Sequence, residues 1–128
     1  MKGKDGQIFV FGSNLAGIHG AGSAKEAHVN WGAEWGVGSG PTGRAFAIPT
    51  KPAPYQPSLL VEHIAQYVAT FMDYARLHPE LEFHCVRIGC GKAGYTDRQM
   101  APLFKDAPLN VFLPFEFNFV LERATEAI

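Results

Sequence analysis

Two glycine-rich stretches contain the residues of this chain that are best suited to hold a ligand. They cover residues 12–22 and 89–95, and each follows a short apolar run typical of a buried strand. Glycine permits unusual backbone geometry and lets a ligand come close to the peptide groups. We call these stretches the first and second glycine loops. Because free peptide N–H groups bind anions, the two loops predict a site for a phosphorylated ligand.

Three reactive side chains lie where predicted strands end. Lys51 and Lys92 each follow a strand, and a lysine there binds phosphate, performs amine chemistry or is simply solvated. Cys90 lies between two glycines before a predicted helix, where the pKa of a thiol can fall far enough to make it a nucleophile. The alternative is a small apolar residue that fills tight space, and this is the interpretation we favour for Cys90.

Histidine offers one further candidate for the site. The chain has five histidines, and none stands at a metal-ligand spacing from another histidine or a cysteine, so we predict no metal and no cofactor. His19 lies inside the first glycine loop, where it either lines the ligand site or faces solvent.

Three familiar motifs are missing from the sequence or stand in the wrong context. Gly38–Gly43 fits G-x-G-x-x-G, but it precedes a strand and contains Pro41, so we interpret Gly32–Gly43 as a mobile surface loop. The sequence has no G-x-x-x-x-G-K-[ST], which argues against a P-loop nucleotide hydrolase. Ser13 is not part of a G-x-S-x-G elbow and is a poor candidate for a hydrolase serine.

The distribution of glycine supports special backbone geometry at two places. Eleven of the 14 glycines lie between Gly3 and Gly43, and the other three are Gly89, Gly91 and Gly94. A flexible linker would spread its glycines more evenly. The clustering therefore indicates backbone regions that need tight turns or close approach.

Length and charge limit the class of protein. The 128 residues have the size of one domain, predicted to cover 1–128, and a hydrophobic content of 47% is sufficient for a core. Eleven basic residues against twelve acidic ones leave a net charge of -1, which argues against generic nucleic-acid binding. No apolar run approaches the roughly 18 residues of a membrane span, so we expect no membrane insertion.

The N-terminal residues and the two cysteines predict a cytoplasmic protein. The first six residues lack the apolar core of a secretory signal. Cys85 and Cys90 do not form a C-x-x-C pair, and without an export signal we expect both to be reduced thiols.

Hydrophobic periodicity predicts alternating strands and helices. The predicted strands cover 7–11, 44–49, 82–88 and 109–113. The predicted helices cover 22–31, 58–77 and 96–105, and Phe115–Ala124 is either a strand or a closing helix. The predicted buried stripe of the long helix consists of Leu60, Ile64, Val68, Phe71 and Ala75.

Capping residues mark the starts of these helices. Ser23 with Glu26, and Thr96 with Gln99, have the spacing of a capping box. Ser58 is the predicted cap of the long helix.

Alternation of strands and helices is typical of an α/β protein with a mostly parallel or mixed sheet. In such sheets ligands bind beyond the carboxyl ends of the strands, which is where we expect both glycine loops to lie. Each loop also runs into a helix N-terminus, whose free N–H groups and dipole attract anions. The sequence therefore predicts one site that holds its ligand largely by backbone contacts.

Three segments resemble the macrodomain family, which binds ADP-ribose. They are Ile8–Asn14 with Gly20–Ala24, then Ala45–Lys51, and last Val86–Tyr95 with its I-G-C-G run. The runs F-G-S-N-L-A-G, A-I-P-T-K and I-G-C-G-K-A-G are also similar to a macro-like group of small phage and bacterial proteins. The resemblance implies a three-layer α/β/α fold, with ADP-ribose or an ADP-ribosylated substrate as the partner.

The resemblance also implies roles for the matched residues. The diphosphate would lie between residues 20–22 and 89–94, while Asn14 and Tyr95 would lie near the distal ribose. The ligand-binding residues that we predict are Gly12, Ser13, Asn14, His19, Gly20, Ala21, Gly22, Gly89, Cys90, Gly91, Lys92, Ala93, Gly94 and Tyr95.

One macrodomain subgroup removes ADP-ribose from proteins or DNA with a lysine and an aspartate. Lys51 matches the lysine, whereas Ala93 stands at the aspartate position and the nearest acid is Asp97. We predict Lys51 and Asp97 as the catalytic residues if the protein is an ADP-ribosyl hydrolase. The alternatives are a nucleotide sensor without catalysis, and a phage or bacterial structural or interaction protein with the same fold.

Overall fold

The structure, a computed structural model, describes residues 3–126. Within these residues the chain forms five strands and four α-helices. The strands are β1 Gln7–Asn14, β2 Gly40–Thr42, β3 Ala45–Lys51, β4 Glu82–Cys85 and β5 Val111–Phe112. The helices are α1 Gly22–Asn30, α2 Val61–Leu77, α3 Asp97–Met100 and α4 Phe115–Glu126, and a 3-10 turn at Ala101–Phe104 follows α3.

The five strands form one sheet in the order β2-β3-β1-β4-β5. β1 is parallel to both of its neighbours, so Phe9 lies beside Ala45 of β3 and beside His84 of β4. β5 is parallel to β4, whereas β2 is antiparallel to β3. The predicted α/β class is therefore confirmed, with a mixed sheet.

The sheet separates two groups of buried side chains, because successive residues of a strand point to opposite faces. Ala45 and Ala47 of β3 belong to the smaller group, together with the alanines of α1. Phe46 and Ile48 belong to the larger group, together with α2, the 3-10 turn and Phe117 of α4. α1 therefore packs on one face of the sheet and α2 on the other.

The long helix begins later than predicted. α2 starts at Val61 and its N-cap is Leu60, which is 58% exposed instead of buried. Ser58 does not cap α2, because its hydroxyl donates to the carbonyl oxygen of Ala93 at 2.6 Å. The rest of the predicted stripe is confirmed, since the buried residues of α2 are Ile64, Val68, Phe71, Met72 and Ala75.

The two predicted capping boxes have different outcomes. At α3 the box is confirmed, because the side chains of Thr96 and Gln99 each accept from the backbone amide of the other. At α1 it is wrong, because the N-cap is Ala21 and no side chain caps the helix. The Ser23 hydroxyl instead donates over 3.5 Å to the carbonyl oxygen of Gly12. α1 therefore begins with amides that no capping side chain occupies.

The prediction of a loop throughout Gly32–Gly43 is wrong, because β2 lies within this segment and pairs with β3. The remainder packs backbone against backbone on the first glycine loop. A Cβ at Gly38 would lie 2.1 Å from the Asn14 carbonyl oxygen, and one at Gly17 would lie 2.2 Å from the carbonyl carbon of Gly36. Glycine is therefore required at this junction, and the close packing replaces the mobile loop that the sequence predicts.

Several other boundaries differ from the predicted ones. β1 continues to Asn14 instead of ending at residue 11, so the first three residues of the first glycine loop belong to the strand. β4 ends at Cys85 instead of residue 88, and β5 is shorter than the predicted strand over 109–113. The segment after Pro114 is α4, which is the helical alternative for Phe115–Ala124. The alternating phenylalanines there did not decide the structure, since Phe117 is buried while Phe119 is 52% exposed.

The Asn110 side chain, just before β5, forms hydrogen bonds with the end of α2 and with the segment that follows it. Its Nδ2 lies 3.0 Å from the carbonyl oxygens of Ala75 and His78 and 3.1 Å from that of Leu81. An amide nitrogen has two protons, so it donates to these three acceptors by sharing them. The Ala75 and His78 carbonyl oxygens also accept from the amides of His78 and Leu81, so Asn110 adds a second donor at the end of the helix.

The substitution Asn110→Ala is expected to lower the free energy of unfolding by about 1–3 kcal/mol, because the bonds from its amide to three partly buried carbonyl oxygens are lost together. Asn118→Ala is the matched control, since the Asn118 amide makes one exposed bond of 3.3 Å to the Leu113 carbonyl. This control is expected to change the same free energy by less than about 0.5 kcal/mol. Urea unfolding followed by circular dichroism measures both, and equal losses would contradict the role given to Asn110.

Candidate functional site

A crevice lies at the carboxyl ends of β1 and β4. The chain leaves β1 toward β3 on one side, whereas it leaves β4 toward β5 on the other. Neighbouring parallel strands whose connections diverge in this way leave room for a ligand beyond their ends. A cleft with a volume of about 820 Å³ lies between the two glycine loops, and this volume suits a small-molecule site.

The cleft brings together most of the predicted site residues. Its walls come from the two glycine loops and from the segment that includes the end of β3. The predicted residues that line it are Gly12, Ser13, Asn14, Gly20, Ala21, Gly22, Lys51, Gly89, Cys90, Gly91, Lys92 and Ala93. The predicted residues that are not part of its lining are His19, Gly94, Tyr95 and Asp97.

His19 is turned away from the cleft and buried beneath the first glycine loop. It is 1% exposed, and its ring packs edge-on against Phe11 with the ring centroids 5.6 Å apart. Its Nε2 lies 3.0 Å from the carbonyl oxygen of Glu34 and donates to it, since a carbonyl can only accept. His19 therefore stabilises the first glycine loop from the protein interior. The sequence predicted that it would either line the ligand site or face solvent, and it does neither.

Gly94 and Tyr95 shape the end of the second glycine loop without lining the cleft. Gly94 has a φ of +83°, so glycine is needed for its backbone conformation. The Tyr95 hydroxyl donates to the Leu59 carbonyl oxygen, and its ring packs beside the larger buried group. Tyr95 thus joins the loop to the segment before α2.

Asp97 forms a two-bond ion pair with Arg87 and does not face Lys51 across the cleft. Arg87 Nε and Nη2 donate to the two carboxylate oxygens at 3.0 and 2.9 Å. The hydrogen bonds from Arg87 hold the pKa of Asp97 below its ordinary value. The structure therefore brings Lys51 to the cleft but not the acid that the sequence paired with it.

Asn14 lines the cleft, and its side chain is already engaged with the protein. Its Oδ1 accepts from the Ile18 amide at 3.0 Å, and its Nδ2 donates to the Ile18 carbonyl oxygen at 2.9 Å. These two bonds close the turn that follows β1. Asn14 therefore positions the first glycine loop, whatever further contact it makes with a ligand.

Neither backbone conformation nor packing within the protein requires glycine at positions 20 and 91. Neither has the positive φ that favours glycine, and a Cβ added to either would meet no atom within 4 Å. Gly89, by contrast, has a φ of +80°, and a Cβ there would lie 2.5 Å from the sulfur of Met100. Gly20 and Gly91 both line the cleft, so their bare backbone is open to a ligand.

Peptide amides without a hydrogen-bond partner occur in both walls of the cleft. The first amides of a helix have no partner within it, and at α1 these belong to Gly22, Ser23 and Ala24, which line the cleft. On the other side, within the described residues, the amides of residues 91–93 donate to no acceptor in the protein. α3 differs, because a capping box engages the amides of Thr96 and Gln99 at its start and the helix does not line the cleft.

The charge of the cleft is positive. Lys51, Arg87 and Lys92 line it, whereas no aspartate or glutamate of the described residues does. Arg87 is neutralised by Asp97, while neither lysine has an ion-pair partner among residues 3–126. Lys51 is the last residue of β3 and Lys92 lies in the second glycine loop after β4, so the two lysines come from strands on opposite sides of β1.

Sequence reasoning missed ten residues of the cleft wall. They are Ile18, Ser23, Ala24, Thr50, Ala53, Pro54, Tyr55, Val86, Arg87 and Ile88. The three prolines in residues 51–57 were a usable signal for Ala53, Pro54 and Tyr55, because an irregular segment after β3 must lie at the carboxyl edge.

Comparisons with family models, with curated proteins and with solved structures found no match to this chain. No group of three or more histidine, cysteine or acidic side chains in residues 3–126 is arranged to hold a metal ion. No helix in that part of the chain has both the length and the apolar character needed to cross a membrane.

Cys90 lies in the cleft wall, and its thiol is held in the neutral form. Burial raises its pKa to about 11, and the neighbouring Asp97 carboxylate, 3.5 Å from the sulfur, adds to the rise. A raised pKa means less thiolate at neutral pH, so Cys90 is not an activated nucleophile. This agrees with the interpretation of Cys90 as a packing residue.

Alkylation of Cys90 by iodoacetamide at pH 8 is expected to be on the order of tenfold slower than that of a free thiol. The raised pKa leaves much less thiolate, and the greater nucleophilicity of a more basic thiolate offsets part of this loss. The rate should keep rising with pH up to about 11, where the thiol titrates. Asp97→Asn should speed the reaction, because it removes the negative charge beside the sulfur. Peptide mapping by mass spectrometry separates Cys90 from Cys85, and faster labelling of Cys90 than of glutathione at pH 7 would contradict the assignment.

Proposed function

We propose that the cleft binds ADP-ribose or a related nucleotide diphosphate, with the diphosphate lying between the two glycine loops. The observation that supports this most directly is the pair Gly20 and Gly91. Each is glycine without a conformational or packing need, and each leaves bare backbone in the wall of an acid-free cleft. A tightly held ligand that must approach the peptide groups explains glycine at both positions.

The free amides and the two lysines suit the chemistry of a diphosphate. Residues 22–24 and 91–93 offer N–H donors from opposite sides, and charge-assisted bonds from amides to phosphate oxygens are strong. The positive end of the α1 dipole adds to the attraction. Lys51 and Lys92 stand on opposite sides of β1 and supply two formal charges to balance the anion.

The proposed fold for this function is a macrodomain-like three-layer α/β/α arrangement. Its support is the packing of α1 and α2 on opposite faces of the sheet, together with the three segments that resemble the family. In this arrangement both glycine loops follow the strands whose connections diverge. The likeness of the motifs and the position of the cleft therefore favour the same site.

The substitutions Gly20→Ala and Gly91→Ala test the binding site. Each methyl group would occupy ligand space, so the affinity for ADP-ribose should fall about tenfold or more, since overpacking costs about 1–3 kcal/mol. The free energy of unfolding should stay the same or rise by about 0.4–1 kcal/mol, because alanine restricts the unfolded chain. Titration calorimetry gives the affinities and urea unfolding gives the stabilities.

Gly6→Ala is the matched control for these two variants. Gly6 has a φ of +87° and does not line the cleft, so alanine should cost about 1–2 kcal/mol of stability and leave the affinity unchanged. Unaltered affinity in both Gly20→Ala and Gly91→Ala would argue against the site. The absence of binding heat with folded wild-type protein at millimolar ADP-ribose would refute the proposed function itself.

A second candidate function is hydrolysis of an ADP-ribosyl bond, for which Lys51 is the supporting observation. Its side chain lines the cleft at the end of β3, next to Asn14 in the strand register, and it has no ion-pair partner among the described residues. We propose two roles for Lys51 in this reaction. As the nucleophile, its neutral amine would attack the anomeric carbon of the sugar while the bond to the modified group breaks, the proton would pass to the leaving group, and a substrate-bound water would then release the sugar from the lysine. As a charge partner, its ammonium would stabilise the departing group while that water adds its hydroxyl to the anomeric carbon and its proton to the leaving group. Asp97 is left out of both roles because Arg87 occupies its carboxylate.

Turnover on ADP-ribosylated protein and DNA tests the catalytic proposal. Lys51→Ala is expected to lower kcat on the order of 100-fold or more. Lys92→Ala should raise KM with little change in kcat, because Lys92 is expected to bind the diphosphate equally well in the substrate and in the transition state. Asp97→Asn should keep wild-type kcat. Equal kcat for wild type and Lys51→Ala would exclude the lysine, and binding without any product would favour the nucleotide sensor.

A further inference from the structure

Tyr55 is the most unusual residue of the cleft wall. Its side chain is 97% exposed, so almost none of its aromatic surface is covered by the protein. It is also the one non-glycine residue in the described part of the chain with a positive φ, at 65°. A bulky residue in this conformation is a genuine outlier, and such strain persists where the surroundings enforce it.

A tight turn explains the conformation of Tyr55. The Gln56 amide donates to the Ala53 carbonyl oxygen at 3.3 Å, which closes a four-residue turn with Pro54 and Tyr55 at its centre. Proline followed by a residue with positive φ is the arrangement of a type II turn, in which glycine or asparagine normally takes the second central place. Tyrosine therefore occupies a position where glycine would be more stable.

The turn holds the ring at the mouth of the cleft. Ala53, Pro54 and Tyr55 all line it, and the turn follows Lys51 after a single residue. Proline fixes its own φ and restricts the residue before it, so Pro52, Pro54 and Pro57 limit how far this segment can move. The ring is thus positioned beside the anion site with its faces available.

We propose that Tyr55 is a stacking platform for the planar heterocycle of the bound ligand. This inference rests on the proposed function and narrows the ligand class to phosphates that also carry a nucleobase-like ring. Aromatic side chains bind bases through their faces with little dependence on base identity. On this proposal tyrosine stands at a position that favours glycine because the ligand needs a stacking surface there, and folding does not need it.

The decisive variants are Tyr55→Gly and Tyr55→Phe, with ADP-ribose, ADP and pyrophosphate as probes. Tyr55→Gly should bind ADP-ribose and ADP about tenfold more weakly than wild type, because the stacking surface is lost. Its affinity for pyrophosphate, which has no ring, should be unchanged. Its Tm should rise by about 3 °C, because glycine relieves the backbone strain. Tyr55→Phe should keep the wild-type affinities for all three probes.

Two further measurements make the assignment specific. Proton NMR should show upfield ring-current shifts of the adenine protons on binding to wild type and Tyr55→Phe, and smaller shifts with Tyr55→Gly. Phe115→Ala is the control for loss of an exposed aromatic ring, since Phe115 is 77% exposed and outside the cleft. It should bind every probe as wild type does.

The outcomes separate this inference from the proposed function. Equal affinity of wild type and Tyr55→Gly for ADP-ribose would overturn the stacking role and leave the diphosphate site standing. Equal losses for ADP-ribose and pyrophosphate would also overturn it, because they would indicate a general effect on the cleft. Failure of folded wild type to bind any of the three probes would overturn both proposals.

Discussion

Parallel pairing of β1 with β3 on one side and β4 on the other is the constraint on which the rest of the molecule depends. It places the carboxyl ends of three strands at one edge and sends the chain away from β1 and β4 in opposite directions. The cleft is the space left by that divergence. Lys51 ends β3 and Lys92 lies in the loop after β4, and these strands flank β1, so the two lysines come to opposite sides of the cleft.

Glycine serves opposite purposes in neighbouring parts of this small protein. At Gly17 and Gly38 it lets two backbones touch, which fixes the shape of the first glycine loop. At Gly20 and Gly91 nothing of the protein approaches, and the backbone stays bare toward the cleft. The same residue type therefore builds a tightly packed support and leaves bare backbone in the cleft wall of one small protein.

The sequence was most informative where a local rule determines the structure. β1, the buried side of α2 and the capping box at Thr96 follow from period and spacing, and the cleft follows from the order of strands. β2 has no strand pattern of its own and exists through pairing with β3. The Arg87–Asp97 pair and the turn at Tyr55 depend on tertiary contacts or on a disfavoured conformation, which periodicity does not encode.

The two edge strands of the sheet, β2 and β5, offer little backbone for pairing with another copy of the chain. An exposed strand edge is a template on which another chain can add by backbone pairing. β2 contains Pro41, which has no N–H to donate, and β5 has two residues. Neither edge therefore offers a long row of donors and acceptors, and the sheet resists the edge-to-edge growth that leads to aggregation.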